Sequence, residues 1–225
     1  MLVKNWMSQP AITIDINAFV EDAVCLLRKH EIHMLPVMEK DQLVGVVTDR
    51  DIKRAYPWNV FSENCIEDSG FLSGIKVNKI MTSDPVIIPH NYTLEEIVEK
   101  FLLYNISGLP VVNQQRKVIG VITKSDLFHL ILILTGYGKR GHQLGIELED
   151  RPGCLKEITD IIRDYGGRIS SILSTPDRAD RGNRRLYIRV FDIDQPSLQH
   201  LKEVIRKKAT LLYIVDHNGK KREIF

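Results

Sequence analysis

Two four-residue stretches hold the residue types best able to do chemistry in this 225-residue chain, Thr48-Asp49-Arg50-Asp51 and Thr123-Lys124-Ser125-Asp126. They stand 75 residues apart, each after a Gly-Val-Val or Gly-Val-Ile run and before an apolar residue. A threonine that closes a strand and opens a helix, with an aspartate three places on, has two uses. One is structural: hydroxyl and carboxylate satisfy the first free helix amides, as in a capping box. The other is recognition. A helix N-terminus offers free N–H groups and the positive end of its dipole to a phosphate. The hydroxyl can donate one more hydrogen bond there, and two carboxylate oxygens match the two cis hydroxyls of a ribose. Phosphate and ribose ligands one turn apart describe a nucleotide site. From these residues alone both uses stay open.

The elements that would position these quartets are themselves duplicated, which sets the repeat unit. Met7-Ser8-Gln9-Pro10 matches Met81-Thr82-Ser83-Asp84-Pro85 with one residue inserted, and β-rich stretches follow at Ala11–Ile14 and Val86–Ile88. In the second copy Thr93-Leu94-Glu95-Glu96 reads as a capping box, and Leu94, Ile97, Val98, Phe101 and Leu102 form one apolar helix face. Phe19, Val20, Ala23, Val24 and Leu27 repeat that face in the first copy, with the cap expected at Asn17. Short strands follow at His33–Val37 and Ser107–Val111, then a polar turn, then the Gly-Val strand and its helix. Each unit is thus β-α-β-β-α. Two helices cannot cover both faces of so small a sheet, so the units are expected to pack together.

The Met-Ser/Thr starts, the two Leu-Pro-Val strands (Leu35–Val37, Leu109–Val111) and the two Gly-Val-Val/Ile-Thr-x-x-Asp junctions resemble a tandem pair of cystathionine-β-synthase (CBS) domains, the Bateman module. The resemblance implies an adenosine ligand, with the matching threonine and aspartate on its phosphate and ribose. It also implies that backbone near the first strand holds the adenine, here Ile12-Thr13 and Ile87-Ile88. The first site is then expected from Ile12, Thr13, His33, Leu35, Pro36, Thr48, Arg50 and Asp51, with Arg54 near. The second is expected from Ile87, Ile88, Ser107, Gly108, Leu109, Pro110, Thr123, Lys124, Ser125 and Asp126, with His129 near. Gly108 against Met34 is expected to leave the second cleft more room.

After residue 140 the pattern changes. Gln143–Glu149 alternates as a strand, and Asp150-Arg151-Pro152-Gly153 turns into an amphipathic helix carrying Leu155, Ile158, Ile161 and Ile162. Gly166-Gly167 ends that helix. Strand-like Ile169–Leu173, a hairpin tip around Asp177–Asn183, strand Arg185–Phe191, helix Pro196–Lys207 and strand Leu211–Val215 complete a ferredoxin-like βαββαβ plan. The run Glu149–Leu155 with Gly166-Gly167-x-Ile169 resembles the ACT domain, a sensor of amino acids and other small metabolites. The resemblance places a ligand against Asp150, Pro152, Gly153, Gly167, Arg168 and Ile169. Arg168 stands where that family usually has asparagine, so a dimerisation role is the alternative.

Composition sets bounds. With 44% hydrophobic and 27% charged residues the chain reads as globular, and a net charge of +2 does not by itself point to nucleic acid. The basic tail with Arg178, Arg181, Arg184 and Arg185 reads as a solvated surface, and no helix-turn-helix is recognisable. Three cysteines (Cys25, Cys65, Cys154) without a C-x-x-C pair fit a reducing compartment. The longest apolar run, Leu130–Leu134, is far below the ~20 residues that span a bilayer. A cytoplasmic location without a membrane partner is expected. Gly136-x-Gly138-x-x-Gly141 matches the dinucleotide fingerprint by letter but precedes a strand instead of opening a helix, so a linker explains it. His30 and His33 lack the further ligands a metal needs, and Cys154 lacks a recognisable base.

The expected fold class is α+β, built of α/β repeats. It comprises CBS domain 1 over residues 3–56, a connector over 57–76, CBS domain 2 over 77–134, a linker over 135–141, an ACT domain over 142–216 and a tail over 217–225. A CBS pair followed directly by an ACT domain is similar to the acetoin-utilisation protein B family. The expected function is non-catalytic: a homodimeric module, with no metal and no catalytic cofactor, that binds AMP, ADP, ATP or an NAD-type dinucleotide and signals to a partner. The alternative is a regulatory subunit of an enzyme of acetoin or nucleotide metabolism, with a DNA-binding regulator behind it.

Overall fold

The computed structural model describes residues 1–55 and 74–225. Most of the expected connector, residues 57–73, and Cys65 lie outside the described residues. The chain divides into two compact units, Met1–Leu127 and Phe128–Phe225.

In the first unit each repeat folds as anticipated. Repeat one runs β1 (Ile14–Asp15), α1 (Val20–Lys29), β2 (Met34–Glu39), β3 (Gln42–Thr48) and α2 (Asp49–Ala55). After β4 (Thr82–Ser83), repeat two runs β5 (Ile88–Pro89), α3 (Leu94–Leu103), β6 (Gly108–Val112), β7 (Val118–Thr123) and α4 (Lys124–Leu134), of which only Lys124–Leu127 belongs to this unit. β1 lies parallel to β2 with Ile14 opposite Val37, and β5 parallel to β6 with Ile88 opposite Val111. β2–β3 and β6–β7 are antiparallel hairpins.

This pairing corrects the alignment made on the prolines. Val3 and Val77 open equivalent 3-10 turns, Ile14 matches Ile88, and Val37 matches Val111, all 74 residues apart. No residue is inserted near Pro10. The extra residue falls in the turn between the hairpin strands, where Met38–Gln42 becomes Val112–Lys117 and the offset reaches 75. Proline identity misled because Pro10 is equivalent to Asp84, whereas Pro85 matches Ala11. Asn17 is likewise not the cap of α1. The amide of Asn17 is held by Asp15 Oδ1 at 2.8 Å in an Asx turn, and the cap position is Phe19, whose N–H donates to Asp22 Oδ2 at 3.0 Å. The α3 capping box is present, with Thr93 N–H on Glu96 Oε2 at 2.7 Å and Glu96 N–H on Thr93 Oγ1 at 3.4 Å.

The repeats exchange their leading segments. β4, the start of repeat two, pairs with β3 of repeat one (Gly45 opposite Ser83), while Ser8, the start of repeat one, bridges Val121 on β7. Val77 is fully buried within the core of repeat one, among Val20, Leu27, Leu35 and Ile52. Val3 is equally buried and donates its N–H to Tyr92 O at the head of α3. The two glycines of the Gly-Val strands permit this exchange. A Cβ on Gly45 would stand 2.7 Å from Met81 Sδ, and one on Gly120 2.7 Å from Met7 Sδ and 2.8 Å from Ser8 O. Each repeat's leading methionine therefore sits on the other repeat's glycine.

The second unit is a ferredoxin-like layer pair: β8 (His142–Glu149), α5 (Cys154–Asp164), β9 (Arg168–Thr175), β10 (Asn183–Phe191), α6 (Gln195–Lys208) and β11 (Thr210–Asp216). The expected tail, residues 217–225, contains a strand. This is β12 (Lys221–Ile224), antiparallel to β11, giving the sheet order β12-β11-β8-β10-β9. Leu144, Ile146, Leu186 and Ile188 from the sheet pack with Ile158, Ile162, Leu201 and Ile205 from the helices. The buried ammonium of Lys202 reaches across to β12, where Glu223 accepts at 2.7 and 2.8 Å. The sequence 135–141, expected as a linker, is fastened to this unit by Arg189. That side chain is 2% exposed, and its Nε and Nη1 donate to Thr135 O at 2.7 Å and Arg140 O at 3.2 Å.

Candidate functional site

Each Thr-x-x-Asp quartet forms the strand-to-helix junction the sequence implies. Asp51 Oδ2 accepts from Thr48 N–H at 2.9 Å and from the Thr48 hydroxyl at 2.6 Å, while Thr48 Oγ1 accepts from Asp51 N–H at 3.2 Å. At Thr123 and Asp126 the same three bonds measure 2.7, 2.7 and 3.3 Å. The structural use is therefore realised in both copies, and it changes the chemistry available. The hydroxyl proton is given to the aspartate, so it is not free for a phosphate. The second carboxylate oxygen of each aspartate has no hydrogen-bond partner among the described residues. The threonine thus acts as the device that orients the carboxylate.

A cleft of about 300 Å³ contains the first quartet. Its walls include Thr48, Arg50, Asp51 and Arg54 from repeat one together with Thr82, Asp84, Pro85, Val86, Asn105, Ser107, Gly108 and Pro110 from repeat two. Arg50 and Arg54 are exposed at the mouth, with Asp49 and Asp84 as the opposing charges. The exchange of leading segments explains this composition, because β4 pairs with β3 and so brings the start of repeat two beside the quartet of repeat one.

The grouping corrects the expected one. Ser107, Gly108 and Pro110 were assigned to the second quartet but line the cleft of the first, so the room made by Gly108 belongs there. A Cβ at Gly108 would meet Met34 Cε at 3.0 Å and Thr123 Cγ2 at 3.6 Å. His33 leaves that group for another cavity, with Arg28, Ile32, Asp49 and Lys53, and its Nδ1 lies 3.8 Å from Asp49 Oδ2. Leu35, Leu109 and Ile88 are fully buried core side chains, and Pro36 is buried as well. Ile12 packs against the core of repeat one, and Thr13 is exposed. Ile87 faces a separate cavity with His90, Asn113 and Arg116. Pro85 and Val86, two and one residues earlier, line the cleft instead. Lys124 lies over the Phe101 ring at 6.0 Å, and Ser125 is exposed. The repeat itself held the signal for Val86 and Asp84, once aligned by strand register.

In the second unit the six residues expected to form one ligand site separate. Asp150, Pro152 and Gly153 follow β8, where Glu149 is opposite Asn183, and Asp150 Oδ1 is 2.9 Å from Arg184 Nε. Gly167, Arg168 and Ile169 open β9 at the other end of the sheet, where Arg168 is opposite Phe191. Within one chain they do not meet. Glu147, nearly buried, accepts from Asp180 N–H, Arg185 Nε and Asn183 Nδ2; the backbone bond first and the arginine second hold its carboxyl below the usual range. No cluster of three or more His, Cys, Asp or Glu residues able to hold a metal occurs among the described residues, and no described helix is long and apolar enough to cross a membrane.

Comparison with known proteins agrees with these two units. The CBS domain model matches residues 3–57 and 77–133, and the ACT domain model matches residues 142–210. A CBS domain-containing protein of Dictyostelium discoideum is 34% identical over 133 residues, 59% of this chain and 92% of that protein. An L-aspartate semialdehyde sulfurtransferase of Methanocaldococcus jannaschii is 34% identical over 130 residues. That match takes in 57% of this chain but only 23% of the sulfurtransferase. A CBS domain pair crystallised with 5′-methylthioadenosine and S-adenosyl-L-methionine is 31% identical, covering 58% of this chain and 95% of that one, with a TM-score of 0.48. The chain belongs to the CBS-domain family, carrying a tandem CBS pair followed by a C-terminal ACT domain.

Proposed function

We propose that this chain is a non-catalytic regulatory module whose CBS pair binds an adenosine ligand and whose ligand-dependent state is read by a partner. The observation that carries the reading is the cleft around Thr48 and Asp51. It combines a carboxylate with one oxygen unpartnered among the described residues, two exposed arginines and the apolar wall of Pro85 and Val86. A ribose fits the carboxylate, a phosphate the arginines, and a planar base the wall. At about 300 Å³ the cleft suits one mononucleoside body such as AMP or ATP better than a whole dinucleotide. By repeat symmetry the second site groups Thr123 and Asp126 with Ile12, His33, Met34 and Pro36, and Met34 in place of Gly108 makes it the narrower one.

Signalling in this reading follows from differential affinity, a ligand favouring one arrangement of the exchanged repeats. The domain limits proposed are residues 3–56, 77–134 and 142–216. The ACT domain serves as sensor or dimerisation unit, and the module is a homodimer. Leu102 and Leu103 on α3, 74% and 76% exposed, supply apolar surface for pairing. Light scattering that returns a monomer mass argues against that part. The second reading is a regulatory subunit of an enzyme. It is favoured by relatives with enzyme names that are matched over only about a quarter of their length. The domain order, similar to the acetoin-utilisation protein B family, points it toward acetoin or nucleotide metabolism.

The test is isothermal titration with AMP, ATP and S-adenosyl-L-methionine against the full chain, Asp51→Asn, Asp126→Asn and the double variant. Asparagine keeps an oxygen for the threonine amide but loses the charge. Hydrogen bonds to a charged acceptor contribute about 1.5–3 kcal/mol, so each variant is expected to weaken its own site roughly 10- to 100-fold. Titration curves unchanged in the double variant would refute the site assignment.

A further inference from the structure

The second unit contains a cavity of about 350 Å³ that the nucleotide reading does not use and that shares only Arg168 with the expected ACT ligand set. It lies where the 135–141 segment enters β8, beside the start of β9, the end of β10 and the turn after β11. Lys139, His142, Arg168, Phe191, Asp192 and Asn218 line it.

Two features mark it as more than a surface dent. His142 is 6% exposed, yet neither ring nitrogen has a hydrogen-bond partner among the described residues. The nearest anion, Asp216 Oδ1, stands 3.9 Å from Nε2, beyond hydrogen-bond range, and already accepts from Asn218 N–H at 2.8 Å. A buried imidazole with both nitrogens unpaired is costly unless something entering the cavity supplies the partner. The second feature is charge. Lys139 Nζ and the Arg168 guanidinium lie 5.9 and 5.1 Å from the Phe191 ring centroid, so one aromatic side chain gathers two cations at the mouth. Asp192 is the one carboxylate among the lining residues and takes only Arg168 Nη1, at 3.4 Å, while Asp216 stands outside the lining beside His142. The remaining guanidinium N–H groups and the ammonium are left for a ligand.

We propose that this cavity binds a small anion bearing one carboxylate or phosphate group. Its oxygens are taken by Lys139 and Arg168 at the rim, and its inner end hydrogen-bonds His142, with the Asn218 amide beside it. The net positive rim selects an anion. Arg168, which departs from the asparagine usual in ACT domains, is then the residue that makes this an oxyanion site. The proposal stands independently of the nucleotide reading, since no residue is shared between the two sites.

The test follows the His142 imidazole resonances of the full chain by NMR during titration with inorganic phosphate, acetate and pyruvate, in parallel with calorimetry. A saturable shift of His142 with at least one of the three is expected, and which one responds identifies the anionic group. The exposed rim pair Lys139→Met/Arg168→Met leaves the core untouched and is expected to weaken that binding at least tenfold. Asp51→Asn/Asp126→Asn is expected to leave it unchanged. Absence of a saturable His142 shift with all three anions overturns the proposal, as does the same affinity in the rim double variant.

Discussion

Gly120→Ala is the substitution whose effect follows most directly from the exchange of leading segments. The new Cβ would stand 2.7 Å from Met7 Sδ, 2.8 Å from Ser8 O and 3.0 Å from Met7 Cγ. Ordinary heavy-atom contact begins near 3.5 Å, so about 0.7 Å of withdrawal is required. The methionine tip can rotate away, but Ser8 O belongs to backbone. It accepts from Val121 N–H at 3.0 Å, while Ser8 N–H donates to Val121 O at 2.9 Å. Moving that backbone by the required amount stretches both bonds past hydrogen-bond range, at about 1 kcal/mol each. Replacing glycine in a strand returns roughly 0.5–1 kcal/mol, so a net loss of about 1–3 kcal/mol is expected, typical of overpacking. For a domain of this size that lowers the melting temperature by on the order of 5 °C. Gly138→Ala is the control, because a Cβ there meets nothing within 4 Å. Urea denaturation gives the stability, and hydrogen exchange at the Ser8 and Val121 amides gives the location. A Gly120→Ala protein within about 0.5 kcal/mol of the parent, with unchanged exchange at those amides, would refute the reasoning.

The remaining expectations concern the second unit. Arg189→Lys replaces a fork that serves Thr135 O and Arg140 O with one ammonium, so about 1–3 kcal/mol of stability is lost and hydrogen exchange rises over residues 135–141. Equal exchange in both proteins would show that Arg189 does not fasten that segment. Burial pushes His142 below its ordinary value of 6.5 against the opposing pull of Asp216, and burial, with Arg189 and Arg222, does the same at His217. A histidine depressed in the folded state contributes stability that is complete above its unfolded value and is lost as pH falls from there toward the folded value. Unfolding of this unit is therefore expected to become easier below about pH 6.5, and His142→Gln to flatten that slope. A slope that persists unchanged in the variant assigns the dependence elsewhere. The carboxylates held low, such as Glu147, act in a separate window below about pH 4.5.

Much of this protein was legible locally, because the determining interactions are local. The α3 capping box lies within four residues, and so does each threonine–aspartate cap. Apolar periodicity placed the helices, and the Gly-Val-Val/Ile runs placed the hairpin strands. The βαββαβ order of the second unit also came from periodicity. β12 escaped, since four exposed residues carry no burial pattern and the strand exists only through its pairing with β11. The Asn17 cap failed because α1 begins only at Val20, which makes Phe19 the cap and leaves Asn17 in the Asx turn from Asp15.

By itself the sequence determined that two equivalent strand-to-helix junctions exist and that each presents a threonine-held carboxylate, because four residues of chain suffice to build one. Which walls face those carboxylates was decided only in three dimensions. A repeat aligned with itself looks the same whether each leading segment packs on its own unit or on the other, so no spacing distinguishes the two arrangements. The seating of Met7 on Gly120 and Met81 on Gly45, with Val77 in the first core, selects the exchanged one. That choice moves Ser107, Gly108 and Pro110 from the second quartet to the first.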